Sequence, residues 1–114
     1  MSRKKIFQVD DPQGRTVIFY DDTWGHIQER HPEIRGYQRI KITVMRPSFI
    51  LQNSSRSSLY YVDSTQLSLY FNVIVKFDDE FNECTVSTAF LSNKPKSGDI
   101  IWTQSTGRSP KSKQ

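Results

Sequence analysis

The sequence predicts an α+β domain: a short N-terminal hairpin, two helices, and then an antiparallel β-sheet of about four strands. Three observations lead to this class. Apolar and polar residues alternate from Leu67 to Phe77, which is the two-residue period of a strand. From Asp21 to Pro47 the apolar residues recur every three or four positions, which is the period of a helix. The 114 residues suit a single domain.

The chain begins with two short alternating runs, Lys4 to Val9 and Arg15 to Tyr20. Residues 10–14 between them are Asp-Asp-Pro-Gln-Gly, which are types that favour turns. Two such runs joined by a turn predict an N-terminal hairpin.

The first helix should begin at Asp21, Asp22 and Thr23, because their short oxygen-bearing side chains can cap a helix N-terminus and suit its dipole. It should end at or just before His31, because Pro32 disfavours the helical conformation of the residue before it.

The helical period places Trp24, Ile27 and His31 on one stripe, which should face the core. It places His26 and Arg30 on another side of the helix. A second helical pattern follows and is ended by Pro47; its apolar positions are Ile34, Tyr37, Ile40 and Val44.

The rest of the chain predicts four strand segments, which are Ser48 to Leu51, Leu59 to Val62, Leu67 to Phe77 and Glu83 to Leu91. Asp99 to Trp102 should form a last short strand or an edge segment. The Leu67 to Phe77 strand should be central and should form a hairpin with the next. We expect a core made by Trp24, Ile27, Ile40, Val44, Leu69, Phe71, Val73, Val75, Val86 and Phe90.

Strict alternation along Glu83 to Leu91 places Thr88 on the apolar face, with Cys84, Val86 and Phe90. Thr85, Ser87 and Ala89 then lie on the opposite face. That opposite face would present a polar and aromatic surface suited to an extended ligand, or simply a solvated sheet face; it comprises Tyr70, Asn72, Lys76, Thr85 and Ser87.

The formal net charge of +4 is unevenly distributed. Residues 24–47 hold five Arg or Lys against two Glu, and residues 91–114 hold five against one Asp. One end of the molecule should therefore be positive and suit an anionic partner. Residues 103–114 contain no aliphatic or aromatic side chain, so we expect a disordered basic tail after a domain spanning residues 1–102.

A single cysteine, Cys84, excludes an internal disulfide and fits a reducing, cytoplasmic location. No run approaches the length of a membrane span, so we expect no membrane partner.

His26 and His31 are five residues apart and therefore do not match the i, i+4 pair of a helical metal site. We predict no metal and no cofactor. The His, Arg, Lys, Thr and Tyr side chains that remain suit RNA cleavage, because RNA supplies its own 2′-OH nucleophile. The enzyme then needs only a general base, a general acid and cations at the phosphate. The plainer alternative is a partly buried structural His31 and a merely exposed His26.

Several short motifs resemble the PBECR group of phage and bacterial domains, which belongs to the barnase, EndoU, colicin E5/D and RelE-like (BECR) nuclease superfamily. They are Trp24-x-His26-Ile27-x-x-Arg30-His31-Pro32-Glu33, Pro47-x-x-Ile50, Tyr60-Tyr61, Thr88-Ala89-Phe90 and Ile101-Trp102. The resemblance spans residues 16–102.

The resemblance implies a metal-independent endoribonuclease, often a toxin of a toxin-antitoxin pair, with RNA and an antitoxin or immunity protein as partners. It favours Arg30, His31 and Thr88 as catalytic residues, supported by His26 and Glu33. We expect the RNA-binding residues to be Tyr61, Tyr70, Lys76, Ser87 and, in the tail, Arg108. A catalytically inactive member that binds RNA or protein through the same surface is the alternative.

Overall fold

The described part of the chain forms one mixed sheet with two helices inserted after its first hairpin. The computed structural model describes residues 3–66, 69–78, 83–94 and 96–104. The strands are β1 (Lys5–Asp10), β2 (Thr16–Tyr20), β3 (Phe49–Gln52), β4 (Ser58–Gln66), β5 (Leu69–Asp78), β6 (Glu83–Ser92) and β7 (Asp99–Thr103). The helices are α1 (Asp21–Arg30) and α2 (Gln38–Met45).

The prediction of an antiparallel sheet of about four strands is wrong. The described residues form a seven-stranded sheet in the order β1-β2-β6-β5-β4-β3-β7, with β5 at its centre. The hairpin joins this sheet because β2 pairs in parallel with β6, where Val17 and Ile18 lie opposite Cys84 and Thr85. Alternating residues predict a strand but not its partner, so this pairing of distant segments was missed.

The predicted hairpin is confirmed, and Asp11 organises its turn. Asp11 Oδ1 accepts the backbone N–H groups of Gln13 and Arg15, and its Oδ2 accepts the Arg15 guanidinium at 3.0 Å. Gly14 has a φ of 89°, a conformation that favours glycine. Tyr61 in β4 donates its hydroxyl to Asp11 Oδ2 at 2.6 Å, which ties the turn to the sheet interior.

Helix α1 follows β2 without a linker, and the predicted side-chain cap does not form. The N-cap residue is Tyr20, which makes no cap hydrogen bond. Asp21 instead accepts the backbone N–H of Lys4, and Asp22 accepts that of Thr23. Both carboxylates still lie in the first turn, where they suit the helix dipole.

Helix α2 is shorter than its apolar pattern predicted. It begins at Gln38, so Ile34 and Tyr37 lie in the connection from α1. Ile34 is nevertheless buried, and Tyr37 packs against the core. The apolar spacing therefore marked residues that face the core, although the first of them are not helical.

The core lies between the two helices and one face of the sheet, which we call the helix face. Most predicted core residues are buried there, namely Ile27, Ile40, Val44, Phe71, Val73, Val75 and Val86. Trp24 is partly buried and contacts Phe19 and Tyr37 edge-on. Leu69 was placed wrongly, since it is 40% exposed.

A bulge in β6 overturns the predicted face of Thr88 and Phe90. Ile74 lies opposite Thr88 and Val75 lies opposite Val86, so Ser87 is an extra residue between them. The bulge reverses the alternation beyond it. Ala89 is consequently buried in the core. Thr88 and Phe90 turn instead to the opposite face of the sheet, and the end of α1 reaches them there, since the ring centres of His31 and Phe90 are 6.0 Å apart.

This opposite face, the second face, is less open than the sequence suggested. Its buried residues are Ile18, Leu51, Ser58, Val62, Asn72 and Ile74. The connection from β6 to β7, described at residues 93–94 and 96–98, joins an inner strand of the sheet to its edge strand. Lys96 in this connection lies over the rings of Tyr60 and Phe90 on the second face.

Candidate active site

An open cleft of about 520 Å³ lies between the end of α1 and β6. We call it the His31 cleft. Its walls are His26, Arg30, His31, Ser87, Thr88 and Phe90. Four of the five predicted catalytic residues therefore line one cavity, and the fifth, Glu33, contacts His31.

The end of α1 explains how both histidines reach this cleft. Helical geometry holds only to Arg30, and His31 leaves the helix with φ −135° and ψ 67°. Its side-chain direction is therefore not the one that 100° per residue gives. The expectation that His26 and Arg30 point away from His31 is wrong for this reason. The predicted end of the helix before Pro32 is confirmed.

The imidazole of His31 lies between Glu33 and Phe90. Its Nδ1 lies 3.7 Å from Glu33 Oε2, with 31% and 48% of the respective side chains exposed. This distance is too long for a hydrogen bond, and such an exposed pair contributes little stability. The Phe90 ring lies 6.0 Å from the imidazole centre, tilted by 32°. The imidazole thus has an acidic and an aromatic neighbour and also lines the cavity.

Arg30 supplies the positive charge of the cleft. It is exposed in the last turn of α1. Within the described residues, no carboxylate lies within 4.0 Å of its guanidinium. An anion entering the cleft would therefore meet a cation that no described carboxylate neutralises.

The β6 bulge supplies the hydroxyl groups. Ser87 is the extra residue and Thr88 follows it, and both line the cleft. With strict alternation Thr88 would have been turned into the core. The bulge thus places Thr88, a predicted catalytic residue, in the same cleft as His26 and His31.

The prediction that Tyr61 binds RNA is wrong. Its side chain is fully buried in the core. Burial first, and then the hydrogen bond to Asp11, raise the pKa of its hydroxyl well above the usual range. Tyr61 therefore stabilises the fold and does not contact a ligand.

The remaining RNA-binding predictions have different positions. Ser87 lines the cleft, whereas Lys76 is exposed further along β5. Tyr70 is partly exposed and packs edge-on against Phe49. Arg108 lies outside the described residues.

Phe90 was missed as a cleft residue, because alternation assigned it to the core. A β-bulge leaves no signal in this run of Val, Ser, Thr and Ala.

Burial raises the pKa of the Cys84 thiol, which disfavours the thiolate that a nucleophile requires.

A second cleft, of about 370 Å³, lies along the connection between the helices. Arg39 covers the Phe71 ring there, with its guanidinium carbon 4.5 Å from the ring centre. Arg35 lines the same cavity. Two of the cations predicted to make one end of the molecule positive therefore lie together at the connection between α1 and α2.

Across the described residues, His, Cys, Asp and Glu side chains form no group of three that could hold a metal ion. The same part of the chain contains no helix long and apolar enough to cross a membrane. Comparison with family models, curated proteins and solved structures found no match.

Proposed function

We propose that the protein is a metal-independent endoribonuclease that cleaves RNA by attack of the 2′-OH on the adjacent phosphate. The observation that carries this proposal is the composition of the His31 cleft. Two imidazoles, one guanidinium and two hydroxyl groups line one open cavity. These are the proton carriers and phosphate ligands that RNA cleavage needs.

At phosphorus the reaction forms one bond to oxygen and breaks another. The 2′ oxygen bonds to phosphorus and gives its proton to a general base, and the bond from phosphorus to the 5′ oxygen breaks. A general acid protonates that 5′ oxygen. The products are a 2′,3′-cyclic phosphate and a free 5′-OH. His26 and His31 are the general base and the general acid, in either order.

Arg30 and the hydroxyls of Ser87 and Thr88 bind the phosphate oxygens, whose charge grows as the 2′ oxygen attacks. A planar guanidinium can offer two parallel N–H donors to a phosphate. Glu33 acts through His31, since its carboxylate lies beside Nδ1 and leaves the other ring nitrogen for the substrate. Glu33 is therefore a positioning residue.

We also infer that the chain is a BECR-type domain of toxin class, with RNA as substrate and an antitoxin or immunity protein as its inhibitor. The support for this is that His26, Arg30, His31 and Thr88 of the resembling motifs line the same cavity. Growth arrest on induction, relieved by a co-expressed neighbouring gene, would test this part separately.

The proposed activity is tested by incubating the purified protein with total RNA in excess EDTA and analysing the ends at each cut. We expect cleavage that chelation leaves intact, with 2′,3′-cyclic or 3′-phosphate ends and 5′-OH partners. Loss of cleavage in EDTA that magnesium or manganese restores would contradict the proposal. Tight RNA binding without cleavage would identify a catalytically inactive binding protein instead.

A further inference from the structure

We propose that Lys96 binds the phosphate next to the scissile one, so that RNA leaves the His31 cleft across the second face of the sheet. This inference rests on the proposed function and extends it. Lys96 belongs to the connection between β6 and β7, far along the chain from the helices.

Phe90 links Lys96 to the cleft. Its ring centre lies 6.0 Å from the His31 imidazole and 5.4 Å from Lys96 Nζ. These two distances place the ammonium within about 11 Å of the imidazole centre. Because each phosphate would lie a hydrogen-bond length from its own side chain, two adjacent phosphates of an extended strand can occupy the two positions. A phosphate held in the cleft therefore has a neighbour within reach of Lys96.

The strand register makes the surface between them continuous. Tyr60 lies opposite Ile74, and Ile74 lies opposite Thr88, so the three form one row across β4, β5 and β6. Thr88 is a wall of the cleft, and Tyr60 is the second ring under Lys96, 5.8 Å from Nζ. The row thus runs from the cleft to Lys96 over the buried Ile74.

The loop that carries Lys96 is anchored on both sides. Before it, Ser92 Oγ donates to the Lys94 carbonyl at 2.7 Å and accepts a hydrogen bond from Asn72 at 3.0 Å. After it, Gly98 lies against β3, where an added Cβ would come within 2.7 Å of the Gln52 carbonyl oxygen. These contacts fix where the loop crosses the sheet.

Lys96 is chemically suited to a phosphate. It is exposed, and no described carboxylate lies within 4.0 Å of its ammonium. The two rings hold the cation without neutralising it. Cations combined with aromatic side chains are the usual elements of surfaces that bind single-stranded nucleic acid.

The test compares Lys96→Gln with Lys94→Gln, a matched control two residues earlier in the same exposed loop. The substrates are a dinucleotide, which has only the scissile phosphate, and oligonucleotides with one more phosphate on the 5′ or the 3′ side. Lys96→Gln should cleave the dinucleotide like the wild type. On one of the longer substrates its kcat/KM should fall about tenfold, the scale of one charged hydrogen bond.

Equal kcat/KM for Lys96→Gln and the wild type on all substrates would overturn the inference while leaving the ribonuclease activity established. A wild type that cleaves nothing would instead contradict the proposed function. In that case the binding of a 2′-deoxy oligonucleotide is measured against salt concentration. The inference then requires Lys96→Gln, but not Lys94→Gln, to reduce the slope of log K against log salt by about 0.7. An unchanged slope, or no binding by the wild type, overturns it.

Discussion

His31 owes its position to the residue that follows it. Pro32 ends α1 at Arg30, and the non-helical backbone of His31 then directs its imidazole into the cleft that His26 already faces. The sequence predicted where the helix ends. It did not predict that leaving the helix would bring the two histidines together.

His31→Ala should lower the cleavage rate at least about a hundredfold, the lower figure for a positioned acid or base. His26→Ala should also lower the cleavage rate. The double variant should cleave only slightly more slowly than the less active single variant, because the two histidines act in the same reaction step. Gln28→Ala, an exposed change on the same helix, serves as the control. Full activity in His31→Ala with a markedly lower melting temperature would show that His31 is a structural residue.

Tyr61 is a buried tyrosine whose hydroxyl bonds to a buried carboxylate. Tyr61→Phe should lower the free energy of unfolding by about 1–3 kcal/mol, because Asp11 loses one of its donors. Tyr60→Phe is a neighbouring control whose hydroxyl makes no hydrogen bond within the described residues. Urea denaturation at pH 7 measures both.

The stability difference between wild type and Tyr61→Phe should also depend on pH. The folded-state pKa of Tyr61 lies above its ordinary value near 10, so the protonated hydroxyl stabilises the fold below that pH. This contribution is lost as the pH rises above 10, where the unfolded tyrosine ionises. The difference should therefore shrink between pH 9 and 11, and a constant difference would contradict this role.

At the scale of elements, the sequence predicted most strands but not how they are arranged. The alternation of Leu67 to Phe77 correctly indicated a central strand, β5. The parallel pairing of β2 with β6 depends on packing between distant segments, and no local pattern encodes it. The bulge at Ser87 shifts the alternation of side chains between the two sheet faces by one residue, and no glycine or proline in the sequence marks it. The cleft residues were thus predictable by type, whereas the face of Thr88 was not.

Thr88→Val tests this face directly, because it keeps the shape of the side chain and removes its hydroxyl. Since Thr88 lines the cleft, activity should fall by up to about a hundredfold, the effect of losing one donor at a developing charge. Thr88→Ser, which keeps the hydroxyl, should retain most of the activity. A Val variant that is fully active and more stable would place Thr88 in the core.

At the scale of the whole molecule, the basic residues continue beyond the described part of the chain. Residues 105–114 are outside the described structure and contain three of them, Arg108, Lys111 and Lys113. The strand before them extends further than predicted, since Thr103 belongs to β7 and Gln104 donates its N–H to the Ser48 carbonyl at 3.0 Å.

Truncation after Gln104 should weaken RNA binding and flatten its salt dependence, because each phosphate contact to a single strand contributes about 0.7 to the slope. The melting temperature should change little, since Pro110 is the one apolar side chain among the removed residues. Fluorescence anisotropy over a salt series measures the binding. A truncated protein that unfolds would show that the tail packs against the domain.

Cleavage of one bond with and without its 2′-OH tests the central claim most directly. An oligoribonucleotide containing a mapped cut site is compared in EDTA with the same oligonucleotide carrying a single 2′-deoxy nucleotide at that site. The His31 cleft should cut the all-ribose bond, leaving a 2′,3′-cyclic phosphate, and should leave the deoxy-substituted bond intact. Equal cleavage of both bonds would contradict the proposal that the 2′-OH is the nucleophile and that His26 and His31 transfer its protons.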